Sequence, residues 1–142
     1  MTVTEFQSKI ADALNADEVL SRGGCRAFAE NALDFEQEAQ KQLHERGGVA
    51  LVVLTPRMKR GGTPPRGGLH CICEGLTVEA GEIPALNRAR PGAITALAAA
   101  MRASLVLEGR GIPWSATVQE DIGGGALAAR ATFDTDFTFN AQ

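Results

Sequence analysis

L-A-A-R-A-T-F-D-T-D-F-T-F, residues Leu127 to Phe139, is the stretch that decides the fold. Leu127, Ala129, Ala131, Phe133, Phe137 and Phe139 fall on odd positions, with Thr135 the one polar break. Arg130, Thr132, Asp134, Asp136 and Thr138 fall on even ones. A period of two is the signature of a strand with one face in a core and the other on a polar surface. Gly123-Gly124-Gly125 precedes it as a turn. Before that turn, Trp114, Ala116 and Val118 alternate with Ser115, Thr117 and Gln119. The two alternating segments predict an antiparallel hairpin at the end of the chain.

Further upstream, Pro91 suits the first turn of a helix, where its missing N–H costs nothing, and the pattern predicts that this helix runs to about Glu108, capped by Gly109. Ile94, Leu97, Ala98, Met101 and Leu105 form its apolar stripe, and its many alanines allow close approach to a sheet. The odd face of the closing strand is the expected floor under this helix. Gly48 to Thr55 contains V-A-L-V-V-L, short and rich in β-branched residues, which predicts a central strand ended by Pro56. Leu69 to Val78 resumes as a strand, with Gly75 as a bulge or break. Glu79 to Arg90 reads as a connection.

The first helix is expected from Val3 to Leu14. Thr2 and Glu5 form a capping-box pattern, and Phe6, Ile10 and Leu14 make one stripe. Val19 and Leu20 continue the pattern, so one broken helix or two are both open. Cys25 to Ala29 reads as a short strand. Asp34 with Gln37 predicts a cap for a helix through about Arg46, with Phe35, Ala39 and Leu43 inward and Gly47 ending it. Hairpins dominate this order. The expected fold class is therefore α+β: a mixed, mostly antiparallel sheet with helices packed mainly on one face.

The bulk properties agree with one domain over residues 1–142, with a flexible basic loop at 56–68. A chain of 142 residues buries roughly 68–70% of its unfolded surface, enough for a core without staples. Apolar residues are 44% and charged residues 22%, which argues against disorder. A net charge of −3 does not suggest a general nucleic-acid binder. Cys25, Cys71 and Cys73 are an odd set, read as reduced thiols in a reducing compartment. Residues 1–14 carry Glu5, Lys9 and Asp12 and have no signal-peptide h-region. The tract Ala93 to Met101 is too short to cross a bilayer, so no membrane partner is expected.

Candidate chemistry is sparse. His70-Cys71-x-Cys73 has metal-ligand residue types, but the C-x-C spacing is tighter than the usual zinc pair, and the other donors, His44 and Cys25, are distant. His70 and Cys71 are neighbours in a strand and point to opposite faces, which disfavours a Cys–His pair. Gly61-Gly62 is followed by T-P-P-R and then by a strand, so the P-loop pattern fails. No catalytic residue, metal site or cofactor is expected. The loop P-R-M-K-R-G-G-T-P-P-R-G-G, Pro56 to Gly68, holds Arg57, Lys59, Arg60 and Arg66 and no acid. It reads as a solvated loop, as a subunit or partner contact, or as a phosphate-backbone contact. Asp134 and Asp136 read as a solvated strand face able to meet a basic partner.

Four features together resemble the tail-terminator (tail-completion) proteins of long-tailed bacteriophages. They are the opening helix with Phe6, Ile10 and Leu14, the strand Val49 to Leu54 with a variable loop after it, the segment Glu82-Ile83-Pro84-Ala85-Leu86-Asn87-Arg88 leading into the Ala-rich helix, and that helix closing on Leu105, Leu107 and Gly109 before a strand pair. The resemblance implies a non-enzymatic subunit of a homo-hexameric ring that caps the tail tube, stops its growth and presents a head-attachment surface. The implied partners are the tail tube protein and a head–tail connector or neck protein, with DNA passing near the lumen. The implied location is the virion, assembled in the host cytoplasm. Such a ring needs two different patches of one subunit to meet head to tail. Arg57, Lys59, Arg60 and Arg66 against Asp134 and Asp136 of a neighbour are the expected pair. The alternatives are a head-completion or neck protein of the same particle, and a small ligand-binding or enzymatic domain with its site among His70, Cys71 and Glu74.

Overall fold

The computed structural model describes residues 2–60, 69–112, 114, 119–123 and 125–141. Helix α1 spans Val3–Asn15 and starts with a complete capping box. Thr2 Oγ1 accepts from the Glu5 N–H at 3.2 Å, and the Glu5 carboxylate accepts from the Thr2 N–H at 3.4 Å. Its Phe6, Ile10 and Leu14 stripe is buried. Asp17 opens a separate helix α2, Glu18–Arg22, by accepting from the Leu20 N–H at 3.1 Å, so the apolar pattern here belongs to two helices.

Strand β1 (Cys25–Ala29) lies parallel to β2 (Val49–Val53). A parallel pair needs a crossover, supplied by α3 (Phe35–His44). Asp34 sits at its N-cap but makes no side-chain cap bond, contrary to the Asp34–Gln37 expectation. The inward residue of α3 is Gln42, which donates to Gly24 O at 2.8 Å and Val49 O at 3.2 Å; Phe35, Ala39 and Leu43 are only half-buried.

Strand β3 (Arg57–Arg60) and strand β4 (Leu69–Glu82) pair antiparallel. Four of the thirteen residues of the expected loop are therefore strand, and residues 61–68, with Arg66, lie outside the described residues. The segment expected as a connection also splits: Glu79–Glu82 completes β4, and Pro84–Asn87 forms the short helix α4. Helix α5 spans Ala96–Glu108. Pro91 lies outside it, because Thr95 is the N-cap and its hydroxyl accepts from the Ala98 N–H at 3.1 Å. Strand β5 (Gln119–Gly123) and strand β6 (Ala126–Ala141) form the closing hairpin. Of the expected strand Trp114–Gln119, Trp114 lies outside regular structure, Gln119 opens β5, and residues 115–118 are outside the described set.

The sheet is mixed, in the order β1-β2-β4-β6-β5, with β3 on β4 as well. Only β1–β2 is parallel. Helices α1 and α5 share one core with Leu51, Val53, Leu76, Val78, Ala129, Ala131 and Phe133. This is the α+β fold that the sequence predicts. Phe133, at 0% exposure, is the largest side chain in that core.

The α5 face differs from expectation. Ala96, Ala99, Ala100, Ala103, Ser104 and Leu107 are the buried residues, while Met101 and Leu105 are 50% and 59% exposed and Ala98 is also exposed. Alanine is apolar at nearly every turn, so the helix offers two apolar stripes. The sheet takes the smaller-residue face because it lets the backbones approach.

Candidate functional site

Strand β4 is longer than β2, and the extra length builds an arm. Strand β6 takes one edge of β4 along its whole length. On the other edge β2 pairs Val78–Gly81, and β3 pairs Cys71–Glu74 farther out. The change of partner falls at Gly75, where φ is +72° and the β4–β6 register shifts. A glycine in this left-handed region suits a bulge, which bends the strand and increases its twist. Between the pairs Glu74–Asp136 and Leu76–Phe133, the single Gly75 of β4 faces two residues of β6, Asp134 and Thr135, so the irregularity expected at Gly75 is there but the extra residue is on β6; it marks the root of a three-stranded arm β3-β4-β6.

The arm places the predicted interface residues on opposite sides. Arg57, Lys59 and Arg60 are on β3, which has no further strand beyond it among the described residues. Asp134 and Asp136 are on β6, whose pairing with β5 stops at Arg130 among the described residues. Arg57 pairs Glu74, and Glu74 pairs Asp136. One row thus runs basic, acidic, acidic across three strands. At ~4.8 Å between strands the two ends are about 10 Å apart, close to one Debye length. Arg57 and Asp136 are therefore separated by β4, with Glu74 between them.

The far edge of the sheet is closed by a side chain. Asn15 Nδ2 donates to Ala27 O at 3.0 Å, and Asn15 Oδ1 accepts from the Ala27 N–H at 2.8 Å. Asn15 thus occupies the position of a pairing strand beside β1 and blunts that edge.

A second polar cluster lies at the opposite end of β4. Glu82 is fully buried. Its carboxylate accepts from Arg88 Nε at 2.9 Å, from Asn87 Nδ2 at 3.2 Å, and from the Ala96 N–H at the first turn of α5. A carboxylate there also meets the positive end of the helix dipole. Asn87 Nδ2 further donates to Ile94 O at 2.8 Å, and Asn87 Oδ1 accepts from Arg90 Nη2 at 2.8 Å. Arg90 reaches across to Gly47 O at 3.0 Å and Gly23 O at 3.2 Å. The segment Glu82 to Arg90 therefore fixes the start of α5 and, through Arg90, ties it to the entrances of β1 and β2.

Beside this segment is a cleft of ≈ 260 Å³. Arg26, Arg46 and Arg90 line it, together with Cys25, Gln42 and the two glycines Gly24 and Gly48. Its closeness depends on glycine: a Cβ on Gly24, where φ is +83°, would overlap the Arg90 guanidinium. Burial pushes the Cys25 thiol up to about 12, with the Arg90 charge acting the other way. Cys25 is therefore a neutral thiol at physiological pH, without the thiolate character of a nucleophile. Sequence reasoning missed this cleft. Its signal was the two Gly-Gly pairs, Gly23-Gly24 and Gly47-Gly48, each entering a strand beside an arginine.

Among the described residues no group of His, Cys, Asp and Glu could hold a metal ion. The side chains of His70, Cys71, Cys73 and Glu74 lie outside that description. No described helix is long and apolar enough to cross a membrane. No protein-family model matches the chain, and no curated protein matches it.

Proposed function

We propose that this chain is the subunit of a homo-oligomeric ring that terminates a phage tail tube, as its resemblance to tail terminators implies. The observation that carries the reading is the arm, with Arg57, Lys59 and Arg60 on β3 and Asp134 and Asp136 on β6, two stretches with no further strand beside them among the described residues. Open edges are templates for strand addition, and opposite charge selects which edges meet. Strand β3 is antiparallel to β4, and β4 to β6, so β3 and β6 run in the same direction. A neighbour that continues the sheet would therefore add a parallel strand. Two different edges meeting make a heterologous contact, which closes into a ring if the rotation closes. The exposed Met101 and Leu105 on α5 supply an apolar surface of the kind a docking partner covers.

The test is a charge exchange. Wild-type protein is examined by light scattering and negative-stain microscopy, alone and with the tail tube protein. Rings and arrested tube growth are expected. Lys59→Glu with Arg60→Glu should abolish rings, as should Asp134→Lys with Asp136→Lys. Mixing the two variants should restore rings in which they alternate, because each contact between unlike variants again joins opposite charges. A wild-type protein that stays monomeric and leaves tube growth unchanged overturns the reading.

A further inference from the structure

The cleft at the entrances of β1 and β2 points to a binding site independent of the ring. We infer that it binds a phosphate group, either as the free ion or as a small phosphate ester.

The argument starts from charge. Three guanidinium groups line the cleft and no carboxylate does. Among the described residues, neither Arg26, Arg46 nor Arg90 has an ion-pair partner. The nearest acids whose charge is felt at Cys25 are Asp17 and Glu82. Each is already taken, Asp17 by Arg102 and Glu82 by Arg88. Three like charges converging without compensation weaken a fold, and such local conflicts concentrate where a site serves a ligand.

The geometry then selects the ligand. Arg90 is fixed by its bonds to Gly23 O, Gly47 O and Asn87 Oδ1, so one donor group is held in place before anything binds. Its Nη1 has no bond to a described residue. Arg46 is exposed and unpaired, and Arg26, which lies 5.8 Å from the Phe28 ring centre, is exposed as well. One fixed and two adjustable guanidiniums suit the several oxygens of a phosphate, since arginine forks bind such oxygens two at a time. At ≈ 260 Å³ the cleft is smaller than the ~300–1,000 Å³ of pockets for drug-sized ligands. It therefore has room for the anionic group and a small organic remainder. The neutral Cys25 thiol does not repel it.

The experiment is a titration of the full chain, followed by amide and arginine Nε–H NMR signals at constant ionic strength. Probes are inorganic phosphate, adenosine monophosphate and, as controls, chloride and acetate. Saturable shifts at Gly24, Gly48 and the three arginines are expected with phosphate. Arg26→Gln and Arg46→Gln, both at exposed positions, should each weaken binding about tenfold, as loss of one charge-assisted hydrogen bond does. Equal affinity for the monophosphate identifies an ester as the ligand source, and preference for inorganic phosphate identifies the free ion. Shifts that match those of chloride or acetate, or arginine variants that bind as the wild type does, overturn the inference. A monomeric protein that still binds phosphate leaves this site standing and removes only the ring.

Discussion

Removing the Glu82 carboxylate takes the shared acceptor out of a fully buried polar cluster. In Glu82→Ala, the Ala96 N–H and one Asn87 Nδ2 hydrogen lose their acceptor. Glu82, Asn87 and Ala96 are each at 0% exposure, so water does not replace it. An unsatisfied buried donor costs ~1–3 kcal/mol, so two cost about 4 kcal/mol. Arg88 adds little, because its side chain is 49% exposed and regains water. For a domain stable by ~5–15 kcal/mol, this is a large fraction. With a urea m-value of ~2 kcal/mol/M, the midpoint should fall by about 2 M at unchanged m. Glu82→Gln keeps one acceptor but turns an amide toward a donor, so it should cost about half as much. Arg88→Ala leaves the fully buried Glu82 carboxylate without its counter-charge and should cost ~3 kcal/mol. The assay is urea unfolding followed by circular dichroism. An Arg88→Ala protein as stable as wild type would refute the reasoning, since the buried carboxylate would then not need its counter-charge. So would a Glu82→Gln protein as stable as wild type.

Two further outcomes follow from the packing. The Asp17 carboxyl is held below its ordinary value of 3.8, first by its hydrogen bond from Arg102. A depressed carboxyl contributes stability above its unfolded value and loses it as pH falls through the folded one. The stability difference between wild type and Asp17→Asn should therefore be constant near neutral pH and shrink below 3.8, as urea midpoints across an acid series will show. Met101→Glu with Leu105→Glu lies on the exposed side of α5, so thermal unfolding should change by no more than ~0.5 kcal/mol. The same pair should lose partner binding in a tube-capping assay if that face docks.

The sequence by itself determined the elements whose faces differ in polarity. The alternation from Leu127 to Phe133 put Ala129, Ala131 and Phe133 in the core, and the spacing of Phe6, Ile10 and Leu14 put α1 there as well. The capping box at Thr2 and the break in regular pairing at Gly75 were legible for the same reason: each is a local rule written within a few residues. Tertiary structure decided the rest. It chose the alanine face of α5, because a helix apolar on two sides carries no preference until a sheet approaches it. It turned Arg57–Arg60 into a strand, since a basic run pairs only when β4 offers it an edge. It gave Glu82, Asn87 and Arg88 their roles, which no periodicity encodes. The arginine cleft is the extreme case. Arg90 joins Gly47 and Gly23 over separations of 43 and 67 residues, and only the folded chain brings those charges together.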